Sequence, residues 1–118
     1  MKKTLTLCGK PVTIENNALL PRTYRHTFGR DLVVDMQALA KQYKDNPTDL
    51  NTEVLENITW LMLKAGGEQV GENHEEWLAT LDDTFAVYEI IEDVVGLWVE
   101  GRKTTSRPKK NSTDNPRN

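Results

Sequence analysis

The sequence predicts a mainly α domain of four or five helices with a short N-terminal β-hairpin and a disordered basic C-terminal tail. Three observations carry this. Two short runs near the N-terminus alternate polar and apolar residues around a Gly-Lys-Pro turn. From about residue 20 to residue 100, apolar residues recur with a helical period between cap and stop signals. From Arg102 onward the periodicity ends, and Ser, Thr, Asn, Pro and basic residues take over. A length of 118 residues suits one domain. Its expected bounds are residues 1–101, with the hairpin over about 3–15 and the tail over 102–118.

The elements follow in order. "TLTLC" (residues 4–8) and "VTIE" (12–15) place Leu5, Leu7, Val12 and Ile14 on one face if they pair. Gly9 suits the first central position of a II′ turn, and Pro11, lacking an N–H, suits an outward edge. A lone two-stranded hairpin is marginal in water, so it must lie on the helices. Asn17 caps a first turn at residues 18–20. Pro21 then opens a helix in which Leu20, Tyr24 and Phe28 share a face. Gly29 ends it in the left-handed conformation, and Asp31 caps a helix over 32–44 with Leu32, Met36, Leu39, Ala40 and Tyr43 on one stripe. Pro47 is a stop signal. Asp49 or Asn51 caps a third helix running to Lys64. After the glycine-rich "AGGEQVGEN", Asn73 with Glu76 three positions on resembles a capping box for "HEEWLATL". A last and longest helix, from Asp82 or Asp83 to about Glu100, puts Phe85, Tyr88, Ile91, Val94 or Val95, and Trp98 on its buried side, a stripe that Ile90 and Leu97 widen, with Gly101 closing it.

Charge narrows the function classes. Residues 1–101 carry 9 Lys+Arg and 17 Asp+Glu, while residues 102–118 carry 6 Lys+Arg and one Asp. An acidic body is ill suited to wrapping DNA, since the contacting face must carry excess cations. No apolar run approaches the roughly 20 residues of a membrane span. The start, "MKKTLTLCGK", has no apolar stretch of secretory type, and Cys8 stands alone. A cytoplasmic location is therefore expected.

Motifs for chemistry are sparse. His26 and His74 are the only histidines, and no CxxC, HxxxH, HExxH or phosphate-cradling glycine motif occurs. No catalytic, cofactor or metal residues are assigned, and non-enzymatic function is expected. The carboxylates at Glu75, Glu76, Asp82 and Asp83 sit where helix starts favour acids. The stretch "LPRTYRHTFGRDLVVDM" resembles a DNA-reading helical turn, so a small DNA-binding regulator using the 21–44 joint and the basic tail is the alternative function. Against it, the would-be reading helix begins with Asp31 and Asp35.

The hairpin with Gly9 and Lys10, the "YRHTFGRD" joint, "WLMLKA" (60–65) and "EEWL" (75–78), in this order over roughly residues 3–100, resemble the tail assembly chaperones of long-tailed, siphovirus-like phages and prophages of Gram-positive hosts. The resemblance implies a protein that binds the phage tape measure protein and keeps it soluble. It further implies recruitment of tail tube subunits, self-association and absence from the mature virion. It implies no nucleic acid, membrane or small-molecule substrate as partner, and the bacterial host cytoplasm as location. Such proteins are also made in a longer, frameshifted form; Lys109 and Lys110 lie where a slippery codon pair could sit. The candidate partner-binding residues are Tyr24, Phe28, Trp60 and Trp77 as apolar anchors, with Arg25 and Arg30 for charge pairing between subunits.

Overall fold

The computed structural model describes residues 1–46 and 48–106, with side chains through Glu100. The protein is mainly helical: β1 (Lys2–Leu7), β2 (Lys10–Glu15), α1 (Leu20–Phe28), α2 (Leu32–Asp45), α3 (Thr52–Ala65), α4 (His74–Leu78), α5 (Ala86–Glu89) and α6 (Ile91–Ser106).

The strands pair antiparallel, with Leu5 opposite Val12 and Lys3 opposite Ile14. Alternation turns Leu5, Leu7 and Ile14 into the core as expected. The turn differs from expectation. Cys8 (φ 51°) and Gly9 (φ 78°) both have positive φ, which is the type I′ arrangement. Gly9 is therefore the second central residue, and Cys8 holds the first, exposed at the tip. This turn lets Leu7 face Lys10 directly and keeps the twist of the ladder.

The hairpin lies on α3, with β1 also against α5 and α6. The glycine-rich loop after α3 fastens β2. Glu68 Oε2 accepts the Thr13 backbone N–H at 2.8 Å. Gly66 lies so close to Thr13 that a Cβ there would collide with the Thr13 carbonyl. Lys3 reaches Asp93 at 3.0 Å, and the Tyr43 hydroxyl donates to Glu92 at 3.3 Å, tying α6 to β1 and α2.

The Gly29 stop and the caps at Asp31, Asn51 and Asn73 act as read, while α1 opens at Leu20 rather than Pro21 and α4 ends at Leu78, short of the expected Leu81. Gly29 (φ 68°) caps α1, its N–H donating to Arg25 O at 2.8 Å. Asp31, Asn51 and Asn73 each accept backbone N–H groups at a helix start. Pro47 lies outside the described residues; Asn46 closes α2.

α3 is the centre of the domain. Its middle is buried on nearly every side, from Ile58 to Leu63 without interruption. A helix surrounded in this way shows no single stripe. That is why Trp60, off the evident stripe, is nonetheless core at 3% exposure.

The last segment departs most from expectation. A single helix from 82 to 100 is replaced by the short α5 and then α6, broken at Ile90, whose N–H turns to Val87 O at 3.4 Å. The break resets the helical phase. Ala86, Val87 and Ile90 point inward, while Phe85 and Tyr88, expected inside, are exposed at 64% and 39%. α6 also runs past Gly101 to Ser106. The remainder of the tail, including Lys109 and Lys110, lies outside the described residues. Among the described residues no helix is long and apolar enough to cross a membrane.

Candidate partner-binding surface

The α1–α2 joint is built around one buried carboxylate. Because Gly29 turns the chain sharply, Arg30 comes back over the first turn of α2, where Asp35 shares the inward side with Leu32 and Met36. Arg30 Nε donates to Asp35 Oδ2 at 2.7 Å and Nη2 to Oδ1 at 2.8 Å. The Tyr24 hydroxyl donates to Oδ2 at 2.6 Å. Tyr24 is fully buried and Asp35 is 5% exposed. The hydrogen bonds from Arg30 hold the Asp35 carboxyl below the usual carboxylate range; burial opposes them and Tyr24 assists. Burial, then the adjacent carboxylate, pushes the Tyr24 phenol well up, so it stays a donor. The Arg30 guanidinium is raised through its bonds to Asp35. A carboxylate held by three donors, two of them from one guanidinium, acts as a structural anion.

Beside it lies an aromatic cluster. The Phe28 ring sits 5.1 Å from Tyr24, 5.3 Å from His74 and 6.3 Å from Trp60 by centroids. His74 and Trp60 are 6.0 Å apart, and Lys64 Nζ lies 4.9 Å from the Trp60 ring. The Trp60 indole N–H donates to Val70 O at 3.1 Å, binding the glycine-rich loop to α3. α4 thus joins the domain through His74 as well as the buried Trp77.

The structure gathers Tyr24, Phe28, Arg30 and Trp60 into one region and leaves Trp77 apart, near the hairpin end and Leu81. Tyr24, Trp60 and Trp77 are core residues, and the half-buried Phe28 is enclosed by rings of the same chain. Arg30 is committed to Asp35 within the chain, and Arg25 meets Asp31 at 3.5 Å. The physical reason is the same throughout: a domain of this size uses its few large rings and its strongest ion pair to close its own core. Sequence reading also missed Asp35 as a structural partner. Its signal was present, since Leu32, Asp35, Met36 and Leu39 follow the i, i+3, i+4, i+7 pattern of an inward face.

Cys8 and His26 are both exposed, one at the hairpin tip and the other on α1. Among the described residues no three His, Cys, Asp or Glu side chains are grouped so as to hold a metal. The outward-facing apolar residues remain as candidate contacts: Leu19 before α1, Val33 and Val34 on α2, Phe85 and Tyr88 at α5, and Val99 on α6. Compared with protein-family models, with curated proteins and with solved structures, the chain matches none, and the chemistry of this surface must be read from its own residues.

Proposed function

We propose that this chain is a non-enzymatic assembly protein of the phage tail chaperone type. It holds the tape measure protein soluble, recruits tail tube subunits, self-associates, and is left out of the finished virion. Its place of action is the bacterial host cytoplasm. The observation that best supports this reading is the division of labour among its side chains. The polar cluster of Asp35, Arg30 and Tyr24 is spent on the fold, whereas Val33 and Val34 on α2, Phe85 just before α5 and Tyr88 on α5 face outward. Outward apolar residues on a helical body suit the docking of an amphipathic helix better than they suit chemistry on a small molecule.

The test is co-expression with a tape measure protein encoded in the same phage or prophage. That protein becomes soluble with the chain present, and the two elute together from a sizing column. Solubility indifferent to the chain, with no joint elution, refutes the proposal. A DNA-binding role draws on the cations of α1, but the helix placed to read bases, α2, starts with Asp31 and has Asp35 tied to Arg30. Retention on duplex DNA that weakens steeply with salt would favour that role instead.

A further inference from the structure

Two unlike surfaces of this chain complement each other. From Arg22 to Arg30 the sequence carries three arginines, one histidine and no carboxylate, within a body that is otherwise acidic. Arg22, Arg25 and His26 stand exposed along α1. With Pro21, Leu32 and Val33 they line a cleft of about 410 Å³ between α1 and α2. Asp31, at the same cleft, is engaged by the Val34 N–H and by Arg25. Arg22 meets no carboxylate among the described residues. The cleft therefore carries a net positive charge, with Arg22 unpaired among the described residues, over an apolar floor.

The second surface is the 82–89 segment, "DDTFAVYE". The break at Ile90 turns Phe85 and Tyr88 outward, their ring centroids 6.1 Å apart. Asp82, Asp83 and Glu89 flank them, exposed and without an ion pair among the described residues. The Asp83 carboxylate accepts the Phe85 N–H at 2.8 Å, which fixes the ring's backbone while leaving the charge in place. This is an aromatic knob edged with anions, and the cleft is an apolar socket edged with cations.

We propose that the α1–α2 cleft of one copy receives the 82–89 segment of a second copy, with Phe85 entering beside Pro21 and Val33 and the carboxylates meeting Arg22, Arg25 and His26. This deepens the assembly reading above and rests on its self-association, to which it gives an interface and a polarity. The two surfaces share no residue, so a pair joined by one such contact still presents one free cleft and one free segment, through which further copies can add head to tail. Burying an exposed aromatic pair and matching unpaired charges both favour association.

Sedimentation velocity of the full chain over a concentration series tests this. Wild type gains mass with concentration, less so at high salt. Arg22→Glu/Arg25→Glu and Asp82→Lys/Asp83→Lys are each monomeric alone. Mixed in equal amounts they associate, because the unaltered cleft of one meets the unaltered segment of the other. Phe85→Ser, at an exposed position that leaves the core intact, weakens association by about tenfold or more. Unaltered thermal melts show that each variant is folded. A wild type that stays monomeric, a charge-reversed variant that associates as wild type does, or a mixture that stays monomeric overturns the proposal. So does a salt-dependent shift of duplex DNA that Arg22→Glu/Arg25→Glu abolishes, which would give the cleft to phosphates. None of these readouts involves the tape measure protein, so the interface and the chaperone role can fail separately.

Discussion

Asp35→Asn keeps the size of the side chain and removes the charge on which the α1–α2 joint turns. In the wild type, Oδ2 accepts the Tyr24 hydroxyl at 2.6 Å and Arg30 Nε at 2.7 Å, and Oδ1 accepts Arg30 Nη2 at 2.8 Å. An amide offers one acceptor. With its oxygen in the Oδ2 place, its NH₂ faces Arg30 donor to donor. Arg30 can turn away, since its side chain is 55% exposed. Tyr24, fully buried, cannot. The cost is therefore the difference between a charge-assisted and a neutral hydrogen bond at Tyr24, about 1–1.5 kcal/mol. Loss of a half-exposed ion pair adds at most about 1 kcal/mol. The expected destabilisation is about 1–2.5 kcal/mol at neutral pH, and each kcal/mol lowers the melting temperature of a domain this size by about 4–8 °C. Urea unfolding followed by tryptophan fluorescence reports it, because Trp60 and Trp77 are buried and become wet on unfolding. The folded Asp35 pKa is depressed. Its stabilisation is complete above the unfolded-state value, about 3.9, and disappears as pH falls through the lower folded value. The gap between wild type and Asp35→Asn should thus close below about pH 4. Tyr24→Phe completes a double-mutant cycle, with an expected coupling above about 0.5 kcal/mol. An unchanged urea midpoint at neutral pH, or a gap that persists undiminished into strong acid, would refute this account of the joint.

Other perturbations separate backbone strain from close packing. Gly29→Ala meets no atom within 4 Å, so it should cost only the left-handed penalty, about 1 kcal/mol. Gly66→Ala drives a methyl group into the Thr13 carbonyl and should cost more, about 1–3 kcal/mol, with both read from urea midpoints. If the two are equal, the loop does not press on β2. Cys8→Asn should stabilise by up to about 1 kcal/mol, since Asn-Gly suits a type I′ turn and Asn tolerates the positive φ of 51°; a lower melting temperature would show that the turn is of another type.

What the sequence makes legible here is what short-range physics decides. The hairpin face, the Gly29 stop and the caps at Asp31, Asn51 and Asn73 each depend on a few neighbouring residues. The break at Ile90 was not legible, because "DDTFAVYEIIEDVVGLW" satisfies a helical period without interruption. The inward turn of Ala86 and Val87 is decided by packing, α5 lying against α3 and β1. The burial of Trp60 and Trp77 could not be read from periodicity for a related reason: their neighbours come from α1 and the hairpin, far away in sequence. Arg30 was read as facing another subunit, yet Asp35 lies only five positions on. The close approach depends on the left-handed turn at Gly29, whose consequence for the next side chain no pattern of residue types displays.

The bond from Thr13 to Glu68 has a consequence beyond fastening a loop. A two-stranded sheet consists of two edges, and an open edge is a template on which a stray strand can grow. Asn16 donates to Met1 O, so alternation along β2 points the backbone nitrogens of Pro11, Thr13 and Glu15 away from β1. Pro11 has no hydrogen to give, and the Thr13 hydrogen is already held by Glu68. Only Glu15 keeps an outward donor, which is too little for a ladder. β2 is therefore closed to strand addition, and the chain is protected along that side from being recruited into an aggregate.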